Sequence, residues 1–223
     1  MLENKSINEA VAVSRREQNK VDKRRRILAA AARLMAAQGL EATTAEAIAS
    51  AAQVSRATFF NYFPTKSAVC AALVAKYDDD FATTIELERR TDATTAERLK
   101  HLFVQTAARL ESASTFHKMI LSESERGYAQ TRQSSQRIGR MHHVLRGLLA
   151  DGVARGEVRT DYPLDLLAEI VGGAYVALLR NWRVMKDYPL EARMEASARF
   201  LADAIAPSKV DEVPYPIRRP RRR

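Results

Sequence analysis

The sequence predicts an all-α fold of about nine helices, with an N-terminal three-helix head that contains a helix-turn-helix and a C-terminal helical bundle. Apolar residues recur three and four positions apart through most of residues 27–206, and this spacing is typical of one buried face on each of several helices. Serine, threonine or proline stands before several of these segments, as at Thr43, Ser55 and Pro163, where helices often begin.

The charge is unevenly distributed along the 223 residues, which have a net charge of +9. Residues 1–66 hold 11 lysines and arginines against 6 acids, and residues 207–223 hold 6 against 2, whereas residues 67–206 are balanced at 19 and 19. A basic head on a neutral body indicates a polyanionic partner such as double-stranded DNA.

The chain has one cysteine, Cys70, so it cannot form an internal disulfide. Its first residues lack an apolar signal core, and Glu169 interrupts the best candidate for an apolar membrane span. We therefore expect a cytoplasmic protein with no membrane partner.

Residues 43–66 predict two short helices joined by a tight turn. Thr43 and Glu46 have the spacing of a capping box, which starts the first helix. Ser55 is a good N-cap for the second helix, predicted over residues 56–61, and Pro64 ends it. Apolar positions of the first helix are Ala45, Ile48, Ala49 and Ala52, and the turn is placed at Gln53 and Val54. Such a unit is found in proteins that read the major groove.

The second helix is predicted to bury Phe60 and Phe63 and to expose a face with almost no acid nearby. Arg56 can bind a guanine edge or a phosphate, and Phe59 can pack on a thymine methyl group. Lys66 follows Thr65 at the start of a third helix, where the free amides attract anions. The candidate DNA-binding residues are Thr43, Thr44, Ser55, Arg56, Ala57, Thr58, Phe59, Asn61, Tyr62 and Lys66.

Residues 25–69 resemble the DNA-binding domain of the TetR family of bacterial transcriptional regulators. The matching residues are Ile27, Leu28, Ala31, Leu34, Gly39, Thr43, Ile48, Ala49, Ala52, Val54, Ser55, Thr58, Phe60, Tyr62, Phe63 and Lys66. Gln53 and Ala57 depart from the pattern, since the family usually has glycine there. The resemblance implies a transcriptional repressor, nucleoid-associated when bound, which a small-molecule effector releases from its operator; it implies no cofactor.

Four ranges describe the predicted organisation: a flexible basic arm over 1–20, a TetR-type DNA-binding domain over 21–81 with its motif at 44–63, an effector-binding and dimerisation domain over 82–206, and a disordered basic tail over 207–223. The basic run 15–26 either contacts DNA phosphates or a minor groove, or is simply solvated. Residues 66–90 form a long helix that, by resemblance, relays ligand binding to the head. Residues 122–137 are predicted as a loop or a weak helix.

The segment 163–182 is apolar on nearly every side, more than one packing face requires, which indicates burial against a second copy of the chain. Gly172 and Gly173 fit the close approach of another backbone, and the resemblance implies that the last two helices pair across a two-fold axis. The candidate interface is Leu166, Ile170, Gly173, Val176, Ala177 and Phe200. A homodimer reads half-sites roughly 34–36 Å apart, or a multiple of this, in a near-palindromic operator.

An apolar, aromatic-rich interior in the body predicts a pocket for a small apolar or aromatic effector. The candidate lining residues are Phe103, Phe116, His117, Met119, Met141, His142, Tyr175 and Trp182, although ordinary core packing explains each one taken singly.

The sequence offers little for an enzyme. The four histidines, His101, His117, His142 and His143, include no pair at helical metal-ligand spacing, and no nucleophile elbow or phosphate-binding glycine loop is present. We expect neither a catalytic site nor a metal site. The better alternative is a DNA-binding architectural or autonomous regulator that has no effector.

Overall fold

A computed structural model describes residues 2–128 and 131–207, with side chains described for 17–113, 115–123 and 136–207. Over these residues the chain forms nine α-helices and no strand, which confirms the all-α class. They are α1 (Leu2–Ala42), α2 (Ala45–Ala51), α3 (Arg56–Tyr62), α4 (Lys66–Arg89), α5 (Thr95–Glu111), α6 (Ser114–Tyr128), α7 (Thr131–Ala154), α8 (Leu164–Val184) and α9 (Leu190–Ile205). The basic tail predicted over 207–223 lies almost entirely outside the described residues.

The chain divides into two compact units. The first comprises residues 1–76 and 115–124, and the second comprises residues 77–114 and 125–223. Helices α4 and α6 each contribute residues to both units. The division falls within α4, near the domain boundary predicted after residue 81.

Two segments that were predicted without firm helical structure are helical. The structure continues α1 back to Leu2, through the predicted arm over 1–20. Residues 2–20 contain neither glycine nor proline and are rich in the helix formers Glu, Lys, Ala, Arg and Gln. The polar segment 122–137 belongs to α6 and α7 wherever the structure describes it. A polar surface lowers hydrophobicity without lowering intrinsic helix propensity.

The end of α1 and the start of α2 differ from the predicted capping box. Thr43 is buried, and its hydroxyl donates to the Gly39 carbonyl at 2.7 Å. Thr44 is the N-cap of α2, because its side-chain oxygen accepts from the Ala47 amide at 3.1 Å. Thr43 therefore closes the end of α1 rather than the start of α2, and its burial removes it from any DNA-facing surface.

Gly39 turns the chain at the end of α1 with φ 82° and ψ 169°, a backbone region that essentially only glycine occupies. We expect Gly39→Ala to lower the free energy of unfolding by about 1–3 kcal/mol. An added Cβ would have no neighbour within 4 Å, so the cost comes from the backbone alone. Gly139→Ala is the matched control: its Cβ also meets nothing, and inside α7 alanine is expected to stabilise by up to about 1 kcal/mol. Urea unfolding of both variants measures the difference, and equal stabilities would contradict this account of Gly39.

The second unit has a core in which α5 packs on α9 and α8 packs on both α7 and α9. Buried apolar residues such as Leu99, Phe103 and Met194 fill it. At its edge the Arg89 guanidinium donates to both carboxylate oxygens of Asp151, at 2.7 and 3.1 Å. In the described part of the chain, none of the helices combines the length and apolarity that a bilayer crossing requires.

Candidate nucleic-acid interface and ligand cavity

Helix α3 begins at a well-formed cap after a tight turn. The Ser55 hydroxyl accepts from the Thr58 amide at 3.1 Å, and Gln53 occupies the left-handed region with φ 54°. Arg26 of α1 fastens this turn by donating to the carbonyls of Ala52 at 2.5 Å and Gln53 at 3.0 Å. A side chain is therefore accommodated at position 53, where glycine would adopt this conformation more easily.

The buried face of α3 differs from the predicted one by one residue. Phe59 is fully buried and Phe63 is 3% exposed, whereas Phe60 is 38% exposed. Phe59 and Phe63 lie four residues apart on the buried face of this segment, while Phe60 is rotated by about 100° from Phe59 and by about 60° from Phe63. The prediction that Phe60 faces inward and Phe59 faces DNA is therefore wrong.

The outward face of α3 carries Arg56, Ala57, Phe60 and Asn61 as exposed residues, with Thr58 and Tyr62 half-buried beside them. The Arg56 guanidinium lies 5.6 Å from the Phe60 ring centre and 3.1 Å from a Glu46 carboxylate oxygen. The expectation of almost no acid nearby is thus corrected by Glu46. Both partners of this ion pair are mostly exposed, so the pair is weak and can open for a phosphate or a base.

The other predicted contact residues have local partners. The hydroxyls of Ser55 and Thr58 lie 2.8 Å apart, and Thr44 is exposed but caps α2. Lys66 does not project freely from the start of α4, because its ammonium donates to the carbonyls of Leu40 at 2.8 Å and Glu41 at 3.4 Å. Lys66 therefore ties α4 to the end of α1.

Two arginines of the basic run 15–26 have structural contacts. The Arg24 guanidinium lies 5.5 Å from the Phe63 ring centre, and Arg26 holds the turn before α3. Neither of the two predicted alternatives, DNA contact or a solvated run, included this role. Lys20, Lys23 and Arg25 are exposed on α1.

Cys70 is buried in the first unit. Burial raises the pKa of its thiol, and Glu123 adds to the effect. A thiol with a raised pKa is a poor nucleophile at neutral pH, which fits a core residue.

The candidate dimer residues mostly face solvent in the single chain. Ile170 is 50% exposed, Val176 38% and Phe200 71%, while Gly173 and Ala177 are exposed and Leu166 is half-buried. A Cβ at Gly173 would meet nothing within 4 Å. The neighbouring Gly172 instead accommodates its own chain, because a Cβ there would lie 3.0 Å from Met141 Cε and 3.2 Å from Leu145 Cδ1. The prediction that both glycines admit a second backbone therefore applies to Gly173 alone.

The candidate pocket residues do not form one group. Phe116, His117 and Met119 belong to the first unit, and the other five belong to the second. Phe103 and Tyr175 contact each other edge-on with ring centres 5.5 Å apart. Met141 and His142 pack near Gly172, and Trp182 is buried.

The second unit contains a cavity of about 230 Å³ between α4 and α5 that none of these eight residues lines. Its lining residues are Phe81, Thr84, Leu102, Gln105, Thr106 and Arg109. Four of them, Leu102, Gln105, Thr106 and Arg109, follow the i, i+3, i+4, i+7 spacing of one face of α5. Sequence reasoning missed Arg109, although a cation at the edge of an apolar stripe was a detectable signal.

Comparison with known proteins finds a family match over the segment that contains α2 and α3. The family model for bacterial regulatory proteins of the tetR family matches residues 27–73. No curated protein matches the sequence.

Solved structures share the fold. A TetR-family transcriptional repressor, FadR from Thermus thermophilus in complex with lauroyl-CoA, is 25% identical with a TM-score of 0.61 over 86% of this chain and 98% of that one. The fatty acid degradation regulator FadR from Bacillus halodurans is 22% identical with a TM-score of 0.65, over 81% and 94%. SmeT, the repressor of the Stenotrophomonas maltophilia multidrug efflux pump SmeDEF, is 19% identical with a TM-score of 0.63, over 89% and 98%.

Proposed function

The chain belongs to the TetR family of bacterial regulatory proteins, and we propose that it is a cytoplasmic repressor whose homodimer binds a near-palindromic operator and is released by a small molecule. The observation that carries this proposal is the outward face of α3. Two buried rings, Phe59 and Phe63, hold this face in place, and a serine cap fixes where the helix starts.

At the operator, α3 enters the major groove with the side chains near its N-terminus at the base edges. Arg56 binds a guanine edge or a phosphate, and Phe60 packs on a thymine methyl group. Asn61 and Tyr62 supply donors to phosphate oxygens. Phe60 takes the role first predicted for Phe59, since it has the exposure that the role requires.

Pairing of two chains through the apolar stripe of α8, which comprises Ile170, Gly173, Val176 and Ala177, and through Phe200 of α9 places two copies of α3 around a two-fold axis. The exposure of Ile170, Val176 and Phe200 supports this arrangement, because several large apolar side chains exposed on two neighbouring helices are the usual material of an interaction surface. Each copy of α3 then reads one half of a symmetric site.

Ligand release follows as a population shift. An effector that binds better to a form unable to span both half-sites lowers the affinity for the operator, and the operator lowers the affinity for the effector by the same factor. The cavity of the second unit gives such an effector a place to bind. The lauroyl-CoA complex of Thermus thermophilus FadR shows a ligand bound to a repressor of this fold.

A selection over random DNA duplexes identifies the operator, and we expect it to yield a near-palindrome. Arg56→Ala with Tyr62→Ala is then expected to weaken binding to that site by at least about a thousandfold, because the dimer loses two contacts in each half-site and each contributes roughly 1–3 kcal/mol. Binding of the single variant Arg56→Ala over a range of salt concentrations separates the two possible roles of Arg56. Loss of one phosphate contact in each half-site flattens the logarithmic salt dependence by about two units, whereas loss of a base contact relaxes the sequence preference at one position of each half-site.

The matched control is Arg193→Ala, which removes the same charge from an exposed position on α9. It is expected to bind the operator as the parent does. A correctly folded double variant with parental affinity would show that α3 does not read the operator.

A further inference from the structure

The cavity between α4 and α5 contains a cation whose charge is not balanced nearby. Arg109 lines the cavity, and among the described residues no carboxylate forms an ion pair with its guanidinium. The acid that acts on the adjacent Tyr77 hydroxyl is Asp78. Both carboxylate oxygens of Asp78 are held by Arg137, at 2.5 and 2.7 Å.

Two donors beside the cavity lack acceptors. The Arg109 guanidinium lies 5.4 Å from the Tyr77 ring centre. Arg109 Nε and Tyr77 Oη are shut off from solvent, and within the described part of the chain neither donates a hydrogen bond to an acceptor. The Arg109 and Tyr175 side chains lie near the Tyr77 oxygen and act to lower the pKa of Tyr77, so they are donors to that oxygen and leave its proton without an acceptor. Leaving a buried donor unpaired is unfavourable, so the pair is suited to a ligand group that only accepts hydrogen bonds.

The neighbouring hydroxyls do not supply a negative charge for Arg109. Thr84 donates to the Asp80 carbonyl at 2.8 Å, and Thr106 donates to the Leu102 carbonyl at 2.7 Å. The Tyr175 hydroxyl donates to Thr106 at 3.4 Å. Burial raises the pKa of Tyr77 and of Tyr175, so both stay protonated at neutral pH and neither balances the guanidinium.

The other residues that line the cavity determine the size and polarity of the ligand that can bind. Phe81 and Leu102 give the cavity apolar walls, and the Phe81 ring packs on Tyr175 with centres 4.9 Å apart. Its volume of about 230 Å³ exceeds that of the roughly 150 Å³ engineered cavity known to bind benzene. A single ring or a short alkyl chain with one polar substituent is therefore of suitable size.

We propose that the effector of this protein is a small monocarboxylate whose carboxylate binds Arg109 and the Tyr77 hydroxyl, with its ring or alkyl body between Phe81 and Leu102. An ionised carboxylate only accepts hydrogen bonds, and a planar guanidinium is its preferred partner. This inference rests on the proposed function, since it names the chemical class of the molecule that releases the operator.

Calorimetric titration of the full chain tests the proposal with benzoate, phenylacetate and hexanoate and with the primary amide of each. An amide keeps the shape of its acid and removes the charge. We expect at least one acid to bind about ten- to a hundredfold more tightly than its amide, as for a charge-assisted hydrogen bond. That acid is also expected to weaken operator binding. Amides that bind as tightly as their acids, or no binding by any acid of the panel, would overturn the proposal without any variant.

Three variants test which residues cause the preference for the acid over its amide. Arg109→Gln is expected to abolish it, Arg109→Lys to retain part of it, and Tyr77→Phe to reduce it about three- to tenfold by removing one neutral donor. Arg193→Gln removes an exposed charge of α9 and is expected to leave the preference unchanged. A preference that survives in folded Arg109→Gln assigns the carboxylate to another site and overturns the proposal. Operator binding by the ligand-free parent, measured in the same preparations, separates the outcomes: its presence with no acid binding refutes this inference alone, whereas its absence refutes the proposed function.

Discussion

Phe59→Ala is expected to lower the free energy of unfolding of the first unit by about 3–5 kcal/mol, the usual cost of removing a fully buried phenyl ring. Phe59 is completely buried. Its ring contacts Phe60 edge-on with centres 5.3 Å apart and lies 6.3 Å from the Phe63 centre. Its removal leaves a cavity beneath α3, and the loss of stability approaches a large part of the total of an ordinary small domain. Urea unfolding followed by circular dichroism measures the effect.

The adjacent ring is the matched control. Phe60→Ala removes the same atoms from a position that is 38% exposed, and we expect it to cost at most about 1 kcal/mol of stability, as at partly exposed positions away from the core. Phe60→Ala is expected to lower the affinity for the operator instead, because the thymine-methyl contact and the ring beneath Arg56 are both lost. If the two variants lost equal stability, or if Phe59→Ala were the milder one, the assigned faces of α3 would be reversed.

These two rings show where sequence reasoning succeeds and where it fails. Ile48, Ser55 and Pro64 specify two short helices and their turn through local spacing and capping, and the structure contains both helices. Which of two adjacent phenylalanines is buried depends on a rotation of about 100°. The starting residue of α3 and the position of α2 set that rotation. Phe60 and Phe63 at i, i+3 and Phe59 and Phe63 at i, i+4 were both acceptable helical pairs.

The sequence is equally unable to predict the environment of individual hydroxyl groups and cations. Thr43 and Thr44 are equally good capping residues in the sequence, and only the end of α1 at Gly39 decides that Thr43 turns inward. Arg98 on α5 is 1% exposed and donates to the Thr91 carbonyl, although an arginine is rarely so deeply buried. Arg109 lies near Tyr77 and Tyr175 only because α4 and α8 pack beside α5. Local patterns determine helices, whereas the environment of a charge depends on residues distant in the sequence.

Ile170→Glu combined with Val176→Glu is expected to convert the proposed homodimer into a monomer. Both side chains lie on the exposed apolar stripe of α8, 50% and 38% exposed, so the single chain tolerates the change. In a dimer the same positions are covered, and a carboxylate there is buried without a partner, which costs several kcal/mol. Light scattering is expected to give a mass near 25.0 kDa for the variant and about twice that for the parent.

The affinity for the operator is the second measurement, and we expect the larger change there. A dimer holds its second α3 near the second half-site, so the loss of pairing is expected to weaken operator binding by about 10²–10⁴-fold with no change in either reading helix. Leu87→Glu is the matched control, because Leu87 is a 58% exposed apolar residue on α4 rather than on α8 or α9, and we expect it to leave both mass and affinity at the parental values. A folded double variant that remains dimeric would place the two-fold contact elsewhere on the chain. A monomeric variant with full operator affinity would instead show that one α3 suffices, and the near-palindrome would then lose its physical basis.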